Sequence, residues 1–338
     1  MTFKSTKKHE NKLSSKRKLQ IKHFYQTVIS AFPMILISIM AIALLGIGIS
    51  ARYQHPLNTE NENSADSQPG QQQGEDTAPI EKPYTAPYID PPPDITANAY
   101  SVTNLRENIR MYAKNPKVPY PPASVTKIMT AVIALREYDL EKPVIIPEKC
   151  TKLEGSKAGF KANDVFTLED VLYGLLVRSG ADAACAIASI GTEADFVEKM
   201  NQEATDLGMV NTIYENEIGF DRGEHQFSTV DDLELLAKEA VKSNVFRKIT
   251  GTREVTVKAL NSGSAYKLIN TNELLFTIPG TIGIKTGYTD SAGECLAYLY
   301  ENKSDEIMII ILGSQDRFRD TTKLLDWAKE QIKKTASN

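Results

Sequence analysis

The sequence predicts an α+β fold for residues 96–338, preceded by one apolar N-terminal span. Three observations carry this. Apolar residues recur at helical spacing through the middle of that region, strand-like apolar pieces stand at its two ends, and a charge-free run occupies residues 27–50. The terminal strands and the last helix are expected to form one layer and the middle helices another.

The elements follow in chain order. Residues 1–26 form a basic tail: Lys4, Lys7, Lys8, Lys12, Lys16, Arg17, Lys18 and Lys22 stand against Glu10 alone. That is a net +7 in a chain whose total is −4, leaving −11 for the rest. Such a tail suits nucleic acid or anionic lipid, and the next segment decides between them. Residues 27–50, TVISAFPMILISIMAIALLGIGIS, contain no charge, and at ~1.5 Å per residue they are long enough for a ~30 Å hydrocarbon layer. The basic side then faces the cytoplasm and the remainder is exported. The run exceeds a typical signal h-region and GISARYQ offers no clear A-x-A site, so it is read as an uncleaved single-pass anchor. No nucleic-acid partner is expected.

Residues 51–95, with QPGQQQGED and APYIDPPPDIT, lose all apolar periodicity and read as a disordered linker. From residue 96, SVTNLRENIRMYAKN reads as strands around a turn. Pro121 and Pro122 then disfavour helix before them. Val125, Ile128, Met129, Val132 and Leu135 mark a helix beginning at or near Ser124. Thr167 and Asp170 resemble a capping box before DVLYGLLVRS. DAACAIASI follows the Ser179-Gly180 turn, and DLELLAKEAVKS begins near Ser228. Strand pieces at TREVTVKAL, TIGIKTG, ECLAYLY and EIMIIILG precede a closing helix, TTKLLDWAKEQIKK.

Cys150, Cys185 and Cys295 are odd in number, widely spaced and form no C-x-x-C, and read as small buried apolar residues. The four histidines, His9, His23, His55 and His225, show no metal-ligand spacing, and no metal or other cofactor is expected.

The chemistry lies in three short stretches. In PPASVTKIMTA, Ser124 and Lys127 stand three apart, so a helix brings them to one face. A partly buried lysine loses proton affinity and becomes a base for a neighbouring hydroxyl. S-x-x-K also occurs at Ser5, Ser15 and Ser264, so Ser124 is equally readable as a helix cap beside a solvated lysine. K-T-G occurs once, at Lys285, Thr286 and Gly287, at the end of a predicted strand. There a lysine and a threonine can hold a carboxylate, and a residue without Cβ lets an extended chain lie along the strand. Between them SGAD, residues 179–182, joins two predicted helices. The order S-x-x-K, serine turn, K-T-G makes coincidence a poor explanation.

With these motifs in that order, together with LEDVLYGLLVRSGADAA, NTIYENEIGF, TNELLF, GIKTGYTDSAG and KLLDWA, the chain resembles the serine D-alanyl-D-alanine carboxypeptidases of the penicillin-binding, β-lactamase/transpeptidase-like superfamily over residues 96–330. The resemblance implies a helical cluster packed on an antiparallel sheet. It implies Ser124 as acyl-forming nucleophile, Lys127 as its base, and Ser179 bridging Lys127 and Lys285. Lys285 and Thr286 would hold the substrate carboxylate, and the N–H groups of Ser124 and Tyr288 would form an oxyanion hole. It implies a peptidoglycan stem peptide ending in D-Ala-D-Ala as substrate and β-lactams as covalent inhibitors. Two departures stand out. Ala181 replaces the family asparagine, so slower acylation or altered peptide preference is expected. Many members also continue into a β-rich domain with a C-terminal amphipathic helix, a role the N-terminal span is expected to take here. A β-lactamase and a non-catalytic cell-wall peptide binder are the alternatives; the extra E-x-x-x-N of a class A β-lactamase is not found between Ser179 and Lys285.

Overall fold

The computed structural model describes residues 90–220 and 226–336. The basic tail, the apolar run and residues 51–89 lie outside the described residues. Among the described residues no helix is long and apolar enough to cross a membrane.

Strands β1 (Ala99–Asn104) and β2 (Ile109–Lys114) form the predicted hairpin. A 3-10 turn, Ala123–Thr126, leads into α1 (Lys127–Glu137). Then come β3 (Pro143–Ile145), α2 (Glu148–Thr151), β4 (Val165–Thr167), α3 (Leu168–Val177), α4 (Ala181–Ala188) and α5 (Glu193–Asp206). Next follow α6 (Val230–Ala240), α7 (Asn244–Thr250), β5 (Glu254–Lys258), β6 (Ala265–Ile269) and α8 (Leu274–Thr277). The chain closes with β7 (Thr281–Thr289), β8 (Gly293–Glu301), β9 (Glu306–Ser314) and α9 (Arg317–Ala336).

The main sheet runs β2-β1-β9-β8-β7, and its paired strands are antiparallel throughout. Its centre is covered on both faces. Alternate strand residues point opposite ways. Cys295, Ala297, Leu299, Met308, Ile310 and Leu312 accordingly join the core beneath the helices. Their neighbours Leu296, Tyr298, Ile307, Ile309 and Ile311 pack with Leu324, Leu325, Trp327 and Ala328 of α9. The middle helices thus stand apart from the sheet and its closing helix, as expected, but α9 and the helical cluster take opposite faces and make three layers; double burial explains why β9 reads as an unbroken apolar run. Residues 90–95, read as linker, already touch the closing helix: Trp327 Nε1 donates to the Asp90 carbonyl at 2.9 Å, and Ile95 packs against the α9 cluster.

Helix starts repeat one device. The hydroxyls of Thr167, Thr192, Thr229 and Ser243 each accept the backbone N–H three residues on, capping α3, α5, α6 and α7. The helix expected to begin near Ser228 is capped by the next residue, Thr229. The helix expected at Ser124 begins as the 3-10 turn, and its α-helical part starts at Lys127. Residues Lys127 to Ala134 are all buried, so α1 is the central helix of the cluster.

The reading of the cysteines is corrected. Cys150 of α2 and Cys185 of α4 form a disulfide, and Cys295 lies buried outside it. Burial was foreseen, but pairing depends on two helices meeting side by side, which residue spacing does not reveal.

Candidate active site

The 3-10 turn and the first residue of α1 set the first pair. Lys127 Nζ lies 2.9 Å from Ser124 Oγ. Its second contact is the carbonyl of Ile218, at 2.5 Å. Lys127 is 2% exposed, and burial brings its pKa down to about 7; the charges of Glu217 and Asp182 oppose that fall without cancelling it. Near neutrality a large share of Lys127 is therefore an amine with a lone pair beside the serine.

Strand β7 passes close to this turn. A Cβ on Gly287 would stand 3.1 Å from the Ala123 Cβ and from the Ser124 N. The missing side chain thus lets the strand abut the backbone of Ser124. Ala123 itself has φ 47°, a left-handed conformation uncommon for alanine. Ser179 shares it, with φ 59°; strain of this kind concentrates at functional sites.

Lys285 is 1% exposed and Thr286 5%. Burial first, then the charges of Lys127 and Arg317, hold Lys285 well below the ordinary lysine range. Its Nζ donates to the Thr286 carbonyl at 2.8 Å, and the Thr286 hydroxyl bonds that of Thr271 at 2.8 Å. Ser179 is buried in the turn before α4, yet among the described residues its hydroxyl bonds neither lysine. The bridge expected of it is absent here, because Lys127 is turned to Ile218 and Lys285 to Thr286.

A cavity of about 680 Å³ opens over the pair, lined by Ser124, Lys127, Ala181, Phe220, Tyr288 and the 154–156 segment, among others. Ala181 has no side-chain donor to offer; its backbone N–H bonds the Ser156 carbonyl at 2.8 Å. The carboxylate of the neighbouring Asp182 gathers the N–H groups of Ala158, Gly159 and Phe160. That fixes the 158–160 stretch, which follows closely on the 154–156 segment lining the cavity. Tyr288, with its side chain exposed, forms part of the opposite rim.

Two contributors were not legible as site residues. Arg317 donates from Nη1 to the Gly287 carbonyl at 2.8 Å, and its charge reaches Lys285. Asn216 organises the turn that presents Ile218. The quoted stretch NTIYENEIGF contains it, but spacing gives no sign of its role. Among the described residues, Cys185, Glu193 and Glu217 offer the one candidate metal cluster, and Cys185 is spent in the disulfide.

This geometry, a serine and a proton-poor lysine under a strand carrying K-T-G, agrees with the comparisons. The family described as D-alanyl-D-alanine carboxypeptidase matches residues 86–316. The chain belongs to that family. It is a serine-peptidase-type hydrolase, and similarity to curated relatives is substantial. It is 33% identical over 231 residues to D-alanyl-D-alanine carboxypeptidase DacF of Bacillus subtilis, covering 65% of this chain but 59% of that one. It is 34% identical over 245 residues to DacB2 of Mycobacterium tuberculosis, covering 70% of this chain and 84% of that one. Among solved structures, the Streptomyces K15 DD-transpeptidase superposes with TM-score 0.67 at 30% identity, over 70% of this chain and 98% of that one. A D-alanyl-D-alanine carboxypeptidase from Mycobacterium tuberculosis gives 0.67 at 30% identity, over 72% and 94%. The fold of this family member is therefore that of the DD-peptidases, α+β on an antiparallel sheet.

Proposed function

We propose that this protein removes the terminal D-alanine from peptidoglycan stem peptides through an acyl-enzyme on Ser124, and that β-lactams acylate the same oxygen. The observation that carries this is the 2.9 Å contact between Ser124 Oγ and a lysine whose pKa is about 7. Neutral Lys127 takes the Ser124 proton as Oγ bonds to the carbonyl carbon of the penultimate D-alanine. The resulting ammonium returns that proton to the departing D-alanine amine, and water then hydrolyses the ester. The N–H groups of Ser124 and Tyr288 are the oxyanion donors, and losing one such donor costs ~3–4 kcal/mol of barrier lowering.

Lys285, Thr286 and Gly287 form the seat for the substrate's terminal carboxylate, with Arg317 behind them. Burial and neighbouring positive charge weaken the hold of Lys285 on its proton. An arriving carboxylate supplies the missing counter-charge and favours the ammonium. Ser179 stays in the proposed site as a proton carrier, its hydroxyl recruited once substrate enters. The chain is placed in the cell membrane by the uncleaved span 27–50, with residues 96–338 outside. The disulfide between Cys150 and Cys185 supports that compartment.

The test is mass spectrometry of a stem-pentapeptide digest, paired with labelling by a fluorescent penicillin. Wild type should release one D-alanine per peptide and carry a covalent label, and Ser124→Ala should do neither. Label without D-alanine release would favour the non-catalytic binder, and rapid turnover of a chromogenic cephalosporin would favour a β-lactamase.

A further inference from the structure

The turn that supplies Lys127 with its second partner is itself built by one side chain. Asn216 Oδ1 accepts the backbone N–H groups of Ile218, Gly219 and Phe220 at 3.2, 2.8 and 3.1 Å. Its Nδ2 donates to the Phe220 carbonyl at 2.9 Å. The turn is closed on one amide and cannot rotate without breaking four hydrogen bonds. It is also fastened to the nucleophile's helix. Buried Gln226 accepts the N–H groups of Glu215 and Asn216 at 3.0 and 3.2 Å, and Thr130 of α1 donates to the Glu217 carbonyl at 2.7 Å. Gly219, at φ 75°, lies so close to the 3-10 turn that a Cβ there would fall 1.9 Å from the Ala123 carbonyl. All of this holds one group, the Ile218 carbonyl, 2.5 Å from Lys127 Nζ.

We infer that Asn216 is a positioning residue for the general base: by shaping the 216–220 turn it makes the Ile218 carbonyl aim the Lys127 lone pair at Ser124. The argument is one of donor count. A neutral amine has two N–H bonds and one lone pair. With one N–H committed to Ile218 O, rotation about the Cε–Nζ bond is restricted and the lone pair is left to the Ser124 hydroxyl proton. Without that acceptor the amine is free to turn and rarely presents its lone pair to the hydroxyl. After proton transfer the same carbonyl stabilises the ammonium. The other charged groups facing Lys127 are Glu217 from the same turn, Asp182 from α4 and Lys285 from β7. Ala181 sharpens the need, since it places no side-chain acceptor in the cavity.

The inference rests on Lys127 being the base, so the experiment separates the two claims. The rate of acylation by a fluorescent penicillin is followed against pH for wild type, Lys127→Met, Asn216→Ala and Asn216→Asp, with melting temperatures alongside. Asn216→Ala is expected to slow acylation about tenfold or more on the alkaline plateau and to move the rising limb to lower pH, because the ammonium loses its acceptor. Asn216→Asp keeps an oxygen for the three N–H groups. It should retain most of the plateau rate and move the limb to higher pH, because it adds a negative charge near the amine. Limbs at the wild-type position in both variants, or rate losses that merely follow melting temperature, would overturn the inference while Lys127→Met remains dead. Normal acylation of Lys127→Met would overturn the base assignment and this inference with it.

Discussion

Burying an amine at Lys127 has opposite consequences for catalysis and for stability. In the folded chain its pKa is about 7; in the unfolded chain a lysine titrates near ~10.4. Between those values the unfolded chain holds a proton that the folded chain has released. Stability therefore rises with pH from about 7 to ~10.4, and below 7 the buried lysine is a full burden. Activity has the same sign, since the free base accumulates as pH passes 7. Acylation should climb to a plateau with a midpoint near 7, read as the pH dependence of penicillin labelling. Lys127→Met should abolish labelling while melting, at pH 6.5, no lower than wild type; a drop of several degrees would show that the buried amine is stabilising instead. This site was half legible in the sequence, for a physical reason. Ser124 and Lys127 are three residues apart, and helical geometry brings such a pair together wherever it forms. Ile218 lies 91 residues from Lys127 and Arg317 lies 30 residues from Gly287. Those contacts exist only because loops and strands meet in three dimensions. The close approach of Gly287 to Ala123 was hidden on the same grounds, since no local pattern names that neighbour.

Elements were legible where their burial left a simple trace. β8 and β9 stood out because both faces are covered, and α3 because Thr167 and Asp170 mark its start. α5 was not foreseen: only Phe196, Met200 and Ala204 are buried on its 14 residues, a stripe too narrow to outweigh its polar remainder. The same limit hid the disulfide, which ties α2 to α4 across a sequence separation of 35. Closing a loop of that size restrains the unfolded chain by ~3–4 kcal/mol on the chain-entropy account. The wall of the cavity, however, is held separately. Asp182 binds three N–H groups of the 158–160 stretch, and Ala181 N–H binds Ser156 O. Replacing Cys150 and Cys185 with alanine should thus lower unfolding free energy by ~2–4 kcal/mol, measured by denaturant titration, while penicillin labelling stays near the wild-type rate. Loss of labelling in a variant that is still folded would mean that the disulfide, not Asp182, sets the cavity wall.

At the scale of the whole chain, charge and hydropathy are divided in a way the catalytic domain alone does not require. The first 23 residues carry a net +7, residues 27–50 carry none, and the remainder sums to −11. A positive flank holds its side of an apolar span in the cytoplasm, and an acidic exported portion is repelled by anionic headgroups rather than drawn onto them. The proposed substrate lies outside the membrane, so the proposed topology would bring the proposed chemistry to it. The full chain expressed in a bacterium should sediment with membranes and resist extraction by high salt, which removes proteins held by charge alone. Detergent should release it, and penicillin labelling of intact cells with a probe that cannot cross the membrane should succeed. Replacing Leu44 and Leu45 with arginine would place two charges in the span at a cost of ~2.5–3.5 kcal/mol each. The expected result is loss of both membrane association and surface labelling. If that variant still reached the surface, or if salt alone freed the wild type, export and anchoring would have to rest on something other than residues 27–50.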